Sequence, residues 1–218
     1  DIDTGALIVT GEAAKKKNAE AISALFSAEA GKFVCATAGH NLEAILASYV
    51  SGAVHMTYHE GGDFTVMNVD VGGGTSKIAI VQGGKVIDTC AVEVGARLVA
   101  MDENGVINRL EDTALKIAKM AGIDLSLGGK MTEDDKEKFA KVLCDSLFEV
   151  MERGPLSPQV QDLLLTPNLD FKDPIHAVMF SGGVSEFVYG YEKRNLGDLG
   201  VQLGKKVRTR ANQLNGGS

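Results

Sequence analysis

Two apolar, strand-like runs, Phe64–Val69 and Ser76–Val81, are joined by the short stretch Asp70-Val71-Gly72-Gly73-Gly74-Thr75. A connection this short implies that the runs pair as an antiparallel hairpin. A tight turn with three glycines presents a row of backbone N–H groups with no Cβ in the way, so a phosphate can approach closely. Asp70, at the end of the first strand, is placed to hold Mg²⁺ beside that phosphate, directly or through water. Thr75 adds a hydroxyl. The stretch reads as nucleotide phosphate binding on a β-hairpin; a plain turn with a bulge at Gly72–Gly74 is the other reading of the same residues. No G-x-x-x-x-G-K-[ST] and no G-x-G-x-x-G opening a helix occurs, so neither a P-loop nor a Rossmann fingerprint is present.

The 218 residues suffice for one large domain or two small ones. A formal charge of −7 argues against nucleic acid as the main partner. No apolar run approaches the ~20 residues that cross a bilayer, so no membrane association is expected. Cys35, Cys90 and Cys144 form no C-x-x-C and no zinc pattern. They suggest buried free thiols in a reducing cytoplasm. No secretory signal is found, although the chain starts at Asp1 without Met and a preceding segment stays open. His55 and His59 are four apart, a spacing that suits one helical face, but no third metal ligand lies nearby in the sequence.

Along the chain, Ala6–Thr10 reads as a strand and Glu12 to about Ala28 as a helix burying Ala21, Ile22, Leu25 and Phe26. Phe33–Ala36 is a second strand, followed by a helix over Asn41–Val50. Strand, helix, strand, helix is an α/β signature. Phe64–Asp70, Ser76–Val81 and Lys85–Glu93 then form a meander, the last two joined at Gly83-Gly84. After Gly95 a mostly helical stretch is expected, with Leu110, Ala114, Ile117, Ala118 and Ala121 at helical spacing up to Gly122. Thr132 with Asp135 looks like an N-cap pair opening a helix that buries Phe139, Val142, Leu143, Leu147, Val150 and Met151. A short helix near Val160–Leu165, a strand over Ile175–Phe180, a weak helix and a polar, disordered tail complete the expectation.

The strand Ile175–Phe180 runs into Ser181-Gly182-Gly183-Val184-Ser185-Glu186, a second place where a ligand can approach backbone closely. By itself it also suits a structural turn. A hairpin carrying D-x-G-G-G-T, followed about 110 residues later by an apolar strand and S-G-G-x-S, resembles the second phosphate motif and the adenosine motif of the actin/Hsp70/sugar-kinase ATPase superfamily. The segments Thr4–Ala14, Ala36–Gly39 with Leu42–Leu46, and Phe180–Glu186 look more narrowly like the ethanolamine ammonia-lyase reactivating factors of the EutA type. That likeness runs to about residue 205.

The resemblance implies an α/β, ribonuclease H-like (actin-like ATPase) fold: a mixed sheet with an antiparallel meander and flanking helices, incomplete at the N-terminus. Residues 1–62 would be the remainder of a first actin-like domain. Residues 63–205 would be a second ribonuclease H-like domain with a helical insertion at about 108–168, and 206–218 a tail. It implies a chaperone-like ATPase that exchanges damaged cobalamin on ethanolamine ammonia-lyase for intact adenosylcobalamin. ATP or ADP with Mg²⁺ would be the cofactor and the lyase holoenzyme the partner. A cytoplasmic setting, in association with a bacterial microcompartment, is implied, and homo-oligomerisation stays open.

Residue by residue, Asp70 would order Mg²⁺, and Gly72, Gly73, Gly74 and Thr75 would cradle the β- and γ-phosphates. Glu43 would orient the attacking water; a solvated helix residue is the plainer reading of it. Ser181, Gly182 and Gly183 would pass beside ribose and adenine. Glu186 stands where some related ATPases place an adenine-stacking Arg. The superfamily's first phosphate motif is not found, and the polypeptide alone is expected to bind ATP weakly and hydrolyse it hardly at all. Asp3-Thr4-Gly5 also spells an aspartic-protease turn, but only one occurs. A small-molecule kinase or phosphatase of the same superfold, or a filament-forming member, is the alternative.

Overall fold

The computed structural model describes residues 5–9, 33–37 and 39–215, with the backbone alone at 5–9, 33–37, 214 and 215. The helix expected over Glu12–Ala28 lies outside the described residues. Strands β1 (Gly5–Val9) and β2 (Phe33–Thr37) pair in parallel, Gly5 opposite Phe33. Helices α1 (His40–Val50) and α2 (Ala53–Glu60) follow.

The organising element is a four-stranded sheet of β3 (Thr65–Val71), β4 (Ser76–Gln82), β5 (Lys85–Val92) and β8 (Ala177–Ser181). Its order is β5-β4-β3-β8. The first three strands are antiparallel, as their short connections require, and β8 lies parallel to β3 after a long excursion. This is a ribonuclease H-like order, and the mixed α/β fold expected from the sequence is what forms.

Both faces of the sheet are covered, which explains why β3 and β4 read as continuous apolar runs rather than as alternating ones. One face presents Met67, Val69, Val71, Ile78, Ile80, Cys90 and Val92 to the main core, which includes Ile117, Phe139, Leu143, Leu147 and Leu203. The other presents Val66, Ala79 and Val81 to Ala44 of α1 and Ala53 of α2. Small residues on those helices let them sit close to the strands. Helices α1 and α2, within the residues 1–62 assigned from the sequence to a first unit, pack directly on this sheet.

Between β5 and β8 the chain differs from expectation in two places. After Gly95 a hairpin forms before any helix, β6 (Val99–Met101) with β7 (Ile107–Leu110), so Leu110 ends a strand. Its turn is held by Asp102, whose Oδ1 accepts from the amides of Asn104 and Val106, both at 2.9 Å. Helix α3 then spans Asp112–Ala121. Helix α4 (Glu133–Met151) opens on the expected capping box of Thr132 and Asp135. The short α5 (Pro158–Gln161) stops early. Leu163 and Leu165 leave it to bond the end of β5, through Glu93 N–H to Leu163 O (2.8 Å) and Leu165 N–H to Ala91 O (2.9 Å).

After β8 come α6 (Ser185–Tyr189) and α7 (Gly200–Asn215). The tail expected from residue 206 is instead helical through Asn215. Val207 is buried in the core, and Arg210 bonds Asp145 at 2.7 Å across to α4. Amphipathic packing on α4 overrides the polar local composition. Cys90 and Cys144 are free and buried, and burial pushes the Cys144 thiol up to about 11.

Candidate functional site

The parallel pairing of β3 with β8 sets Asp70 directly opposite Ser181. Two glycine turns separated by 111 positions therefore leave the sheet side by side, at the same end of the two strands. The Ser181 hydroxyl donates to Asp70 Oδ1 at 3.3 Å, and Asn68 Nδ2 donates to Ser181 Oγ at 3.3 Å. Gly182 adopts φ +81°, and a Cβ there would fall 2.6 Å from Asp70 Oδ1 and from the Val71 carbonyl oxygen. Only glycine lets the second turn lie against the first.

The Gly72–Thr75 turn is fixed from two sides. Gly72 N–H donates to Thr75 O at 3.0 Å, and the amides of Ala96 and Arg97 donate to Gly72 O (3.2 Å) and Gly73 O (2.5 Å). Gly95 permits this approach, because a Cβ on it would stand 2.5 Å from the Gly73 carbonyl carbon. The amides of Gly73, Gly74 and Gly183 donate to no acceptor among the described residues. No atom lies within 4 Å of where a Cβ on Gly74 or Gly183 would stand, and neither has a positive φ. Packing and backbone conformation do not ask for glycine at these two positions, one in each turn. The space beside both is open to a ligand approaching the backbone.

The first turn opens on a cavity of about 440 Å³ lined by Gly72–Thr75 and Lys77 on one side and by Arg109, Glu111 and Thr113 on the other. The opposite wall is thus the end of β7 and the start of α3. Glu43, Ser181, Gly182 and Gly183 do not line it. Asp70 is joined instead to Ser181 and Gly182 behind the turn. Burial raises the Asp70 carboxyl above its usual range; Lys77 and the Ser181 hydrogen bond oppose this, and Glu43 adds to it. A half-buried carboxylate at the root of open amides, with the nearby Asn68 Oδ1 buried and unpartnered, fits Mg²⁺ held partly through water beside a phosphate.

Glu43 is buried (9% exposed), not solvated. Helix α1 brings its Oε2 to 2.6 Å from Lys77 Nζ. Lys77 was absent from the sequence-derived candidates, although a lone lysine inside an apolar run that is covered on both faces has to be buried. Arg109 was missed with its hairpin; it bonds Glu111 Oε1 at 2.7 Å. His55 and His59 do share a face of α2, with ring centroids 4.1 Å apart. Among the described residues no three His, Cys, Asp or Glu side chains come together as metal ligands, and no helix is long and apolar enough to cross a membrane.

The family model described as "Ethanolamine utilisation protein EutA" matches residues 1–215. The ethanolamine ammonia-lyase reactivase EutA of Salmonella typhimurium is 34% identical over 186 residues, covering 85% of this chain and 39% of that protein. Its Escherichia coli counterpart is 34% identical over 189 residues, with the same coverages. The chain thus spans about two-fifths of the length of these relatives. Among solved structures, an Aquifex aeolicus Ppx/GppA phosphatase is similar at 20% identity and a TM-score of 0.43, over 83% of this chain and 44% of that one. The ethanolamine utilization protein EutJ of Carboxydothermus hydrogenoformans follows at 15% identity and a TM-score of 0.37, over 95% and 66%.

Proposed function

The chain belongs to the ethanolamine utilisation protein EutA family, and we propose that it supplies one wall of the nucleotide cleft of a reactivating factor for adenosylcobalamin-dependent ethanolamine ammonia-lyase. The observation that carries this reading is the pairing of Asp70 with Ser181, which sets two ligand-ready glycine turns side by side.

The amides of Gly73 and Gly74 donate to the β- and γ-phosphates, with the Thr75 hydroxyl beside them. Asp70 holds Mg²⁺ and its water shell, and Mg²⁺ supplies charge neutralisation on the phosphates. Glu43, anchored by Lys77, stands beside Asp70 to orient a water. Ser181, Gly182 and Gly183 pass along the ribose and adenine. Phosphoryl transfer is accelerated by positioning and charge neutralisation rather than by covalent chemistry, so backbone amides and one carboxylate suffice for this wall. Glu186 offers no guanidinium for stacking the base.

In the whole protein, slow hydrolysis resets a conformational cycle through nucleotide contacts that differ between open and closed clefts. The partner is the lyase holoenzyme rather than free cobalamin, in the cytoplasm or a microcompartment.

Titrating Mg·ADP into the chain by calorimetry tests the reading. A weak, saturable isotherm is expected, with Kd on the order of 0.1–1 mM. Asp70→Ala should lower the affinity at least roughly tenfold. A flat titration, or an isotherm that Asp70→Ala leaves unchanged, contradicts it.

A further inference from the structure

Cross-strand partners point their side chains to the same face of a sheet. Lys77 on β4, Asp70 on β3 and Ser181 on β8 are successive partners, so they form one row across three strands. Helix α1 covers this face and lowers Glu43 onto the row, 2.6 Å from Lys77 Nζ. Lys77 is 8% exposed, and the next four residues of its strand, Ile78 to Val81, are fully buried. A cation in such a place is kept only if it is paired. The Lys77 ammonium pairs directly with Glu43, and Asp70, its cross-strand register partner, lies in its field, which favours the ionised carboxylate.

We propose that Lys77 is a resident counter-cation. It neutralises the metal-binding carboxylate of the free protein and yields Asp70 when Mg²⁺ arrives with its nucleotide. Lys77 and Mg²⁺ compete for one carboxylate, and the phosphate charge brought by the nucleotide decides the competition. The site is thereby closed to Mg²⁺ alone and open to the Mg²⁺–nucleotide complex. Glu43 is the second arm of the device. It retains the ammonium once Asp70 has turned to the metal, so that no charge is left buried without a partner. This deepens the nucleotide reading above and rests on it. Lys77 acts through Asp70 and is a positioning residue.

The test measures Mg²⁺ alone, ADP alone and Mg·ADP binding to the 218-residue chain, by calorimetry and by the shift in melting temperature. Wild type is expected to respond to Mg·ADP and not to Mg²⁺ alone. Lys77→Met should acquire a saturable response to Mg²⁺ alone, its affinity raised at least roughly tenfold, while Lys77→Arg stays like wild type. Glu43→Gln leaves the ammonium to Asp70, so its Mg·ADP affinity should fall roughly tenfold while its affinity for ADP alone does not. This variant removes no cation and carries the test if Lys77→Met does not fold.

Equal Mg²⁺ responses in wild type and Lys77→Met, or unchanged Mg·ADP binding in Glu43→Gln, overturn the proposal while leaving nucleotide binding intact. Loss of Mg·ADP binding in wild type overturns the nucleotide reading itself, whatever Lys77→Met does with the metal.

Discussion

Asp70 is a liability to the free protein. Burial disfavours its charged form more than Lys77 and Ser181 favour it, so its carboxyl titrates above the ordinary 3.8. Between those two pH values the folded chain keeps a proton that the unfolded chain has released. Stability therefore falls as pH rises through that window and stays lowered above it. Asp70→Asn is expected to melt higher than wild type at pH 7 without metal, by roughly 2–4 °C. The difference should close as pH falls below the ordinary carboxylate value, where both states of the wild type are protonated. Equal or lower melting of Asp70→Asn at pH 7 would contradict this. Asp70 and its glycines were legible because turn chemistry is written in consecutive residues. Lys77 was not, because a strand lysine reads as outward-facing until α1 is known to cover that face. The buried setting of Glu43 was hidden for the same reason.

The elements legible in the sequence were those with a strong period or a local signature: the meander β3–β5, the capped helix α4, and the strand that becomes β8. The hairpin β6–β7 was missed because its strands are short, although Asn104-Gly105 between the apolar runs Leu98–Met101 and Val106–Ile107 is a turn signal. That omission also concealed Arg109 and the far wall of the cavity. The part of α7 from residue 206 was taken for tail because its polar composition hides a buried stripe that continues from Leu203 to Val207. The segment around Gly95 is the element whose role is least visible in sequence, since it braces the Gly72–Thr75 turn only in three dimensions. Gly95→Ala would press a methyl group into the Gly73 carbonyl, where backbone has to move. The expected cost is about 1–3 kcal/mol of stability, read by denaturant unfolding, together with weaker Mg·ADP binding. Unchanged stability would show that the turn is not braced in this way.

The molecule as a whole is a device for bringing distant glycine turns together. A meander delivers the first, a long helical excursion returns the chain as β8 beside β3, and the parallel register fixes the second against the first. The mixed fold followed from the strand pattern and from the family resemblance. The register did not, because nothing local in either strand specifies which residue will face which across 111 positions. The formal charge of −7 makes the open amides a local feature of a chain that is acidic on balance. The most direct measurement is a Mg·ADP titration followed by amide chemical shifts. The resonances of Gly73, Gly74, Gly182 and Gly183 should move together along one saturation curve. Movement of one turn without the other, or two different curves, would contradict a shared nucleotide.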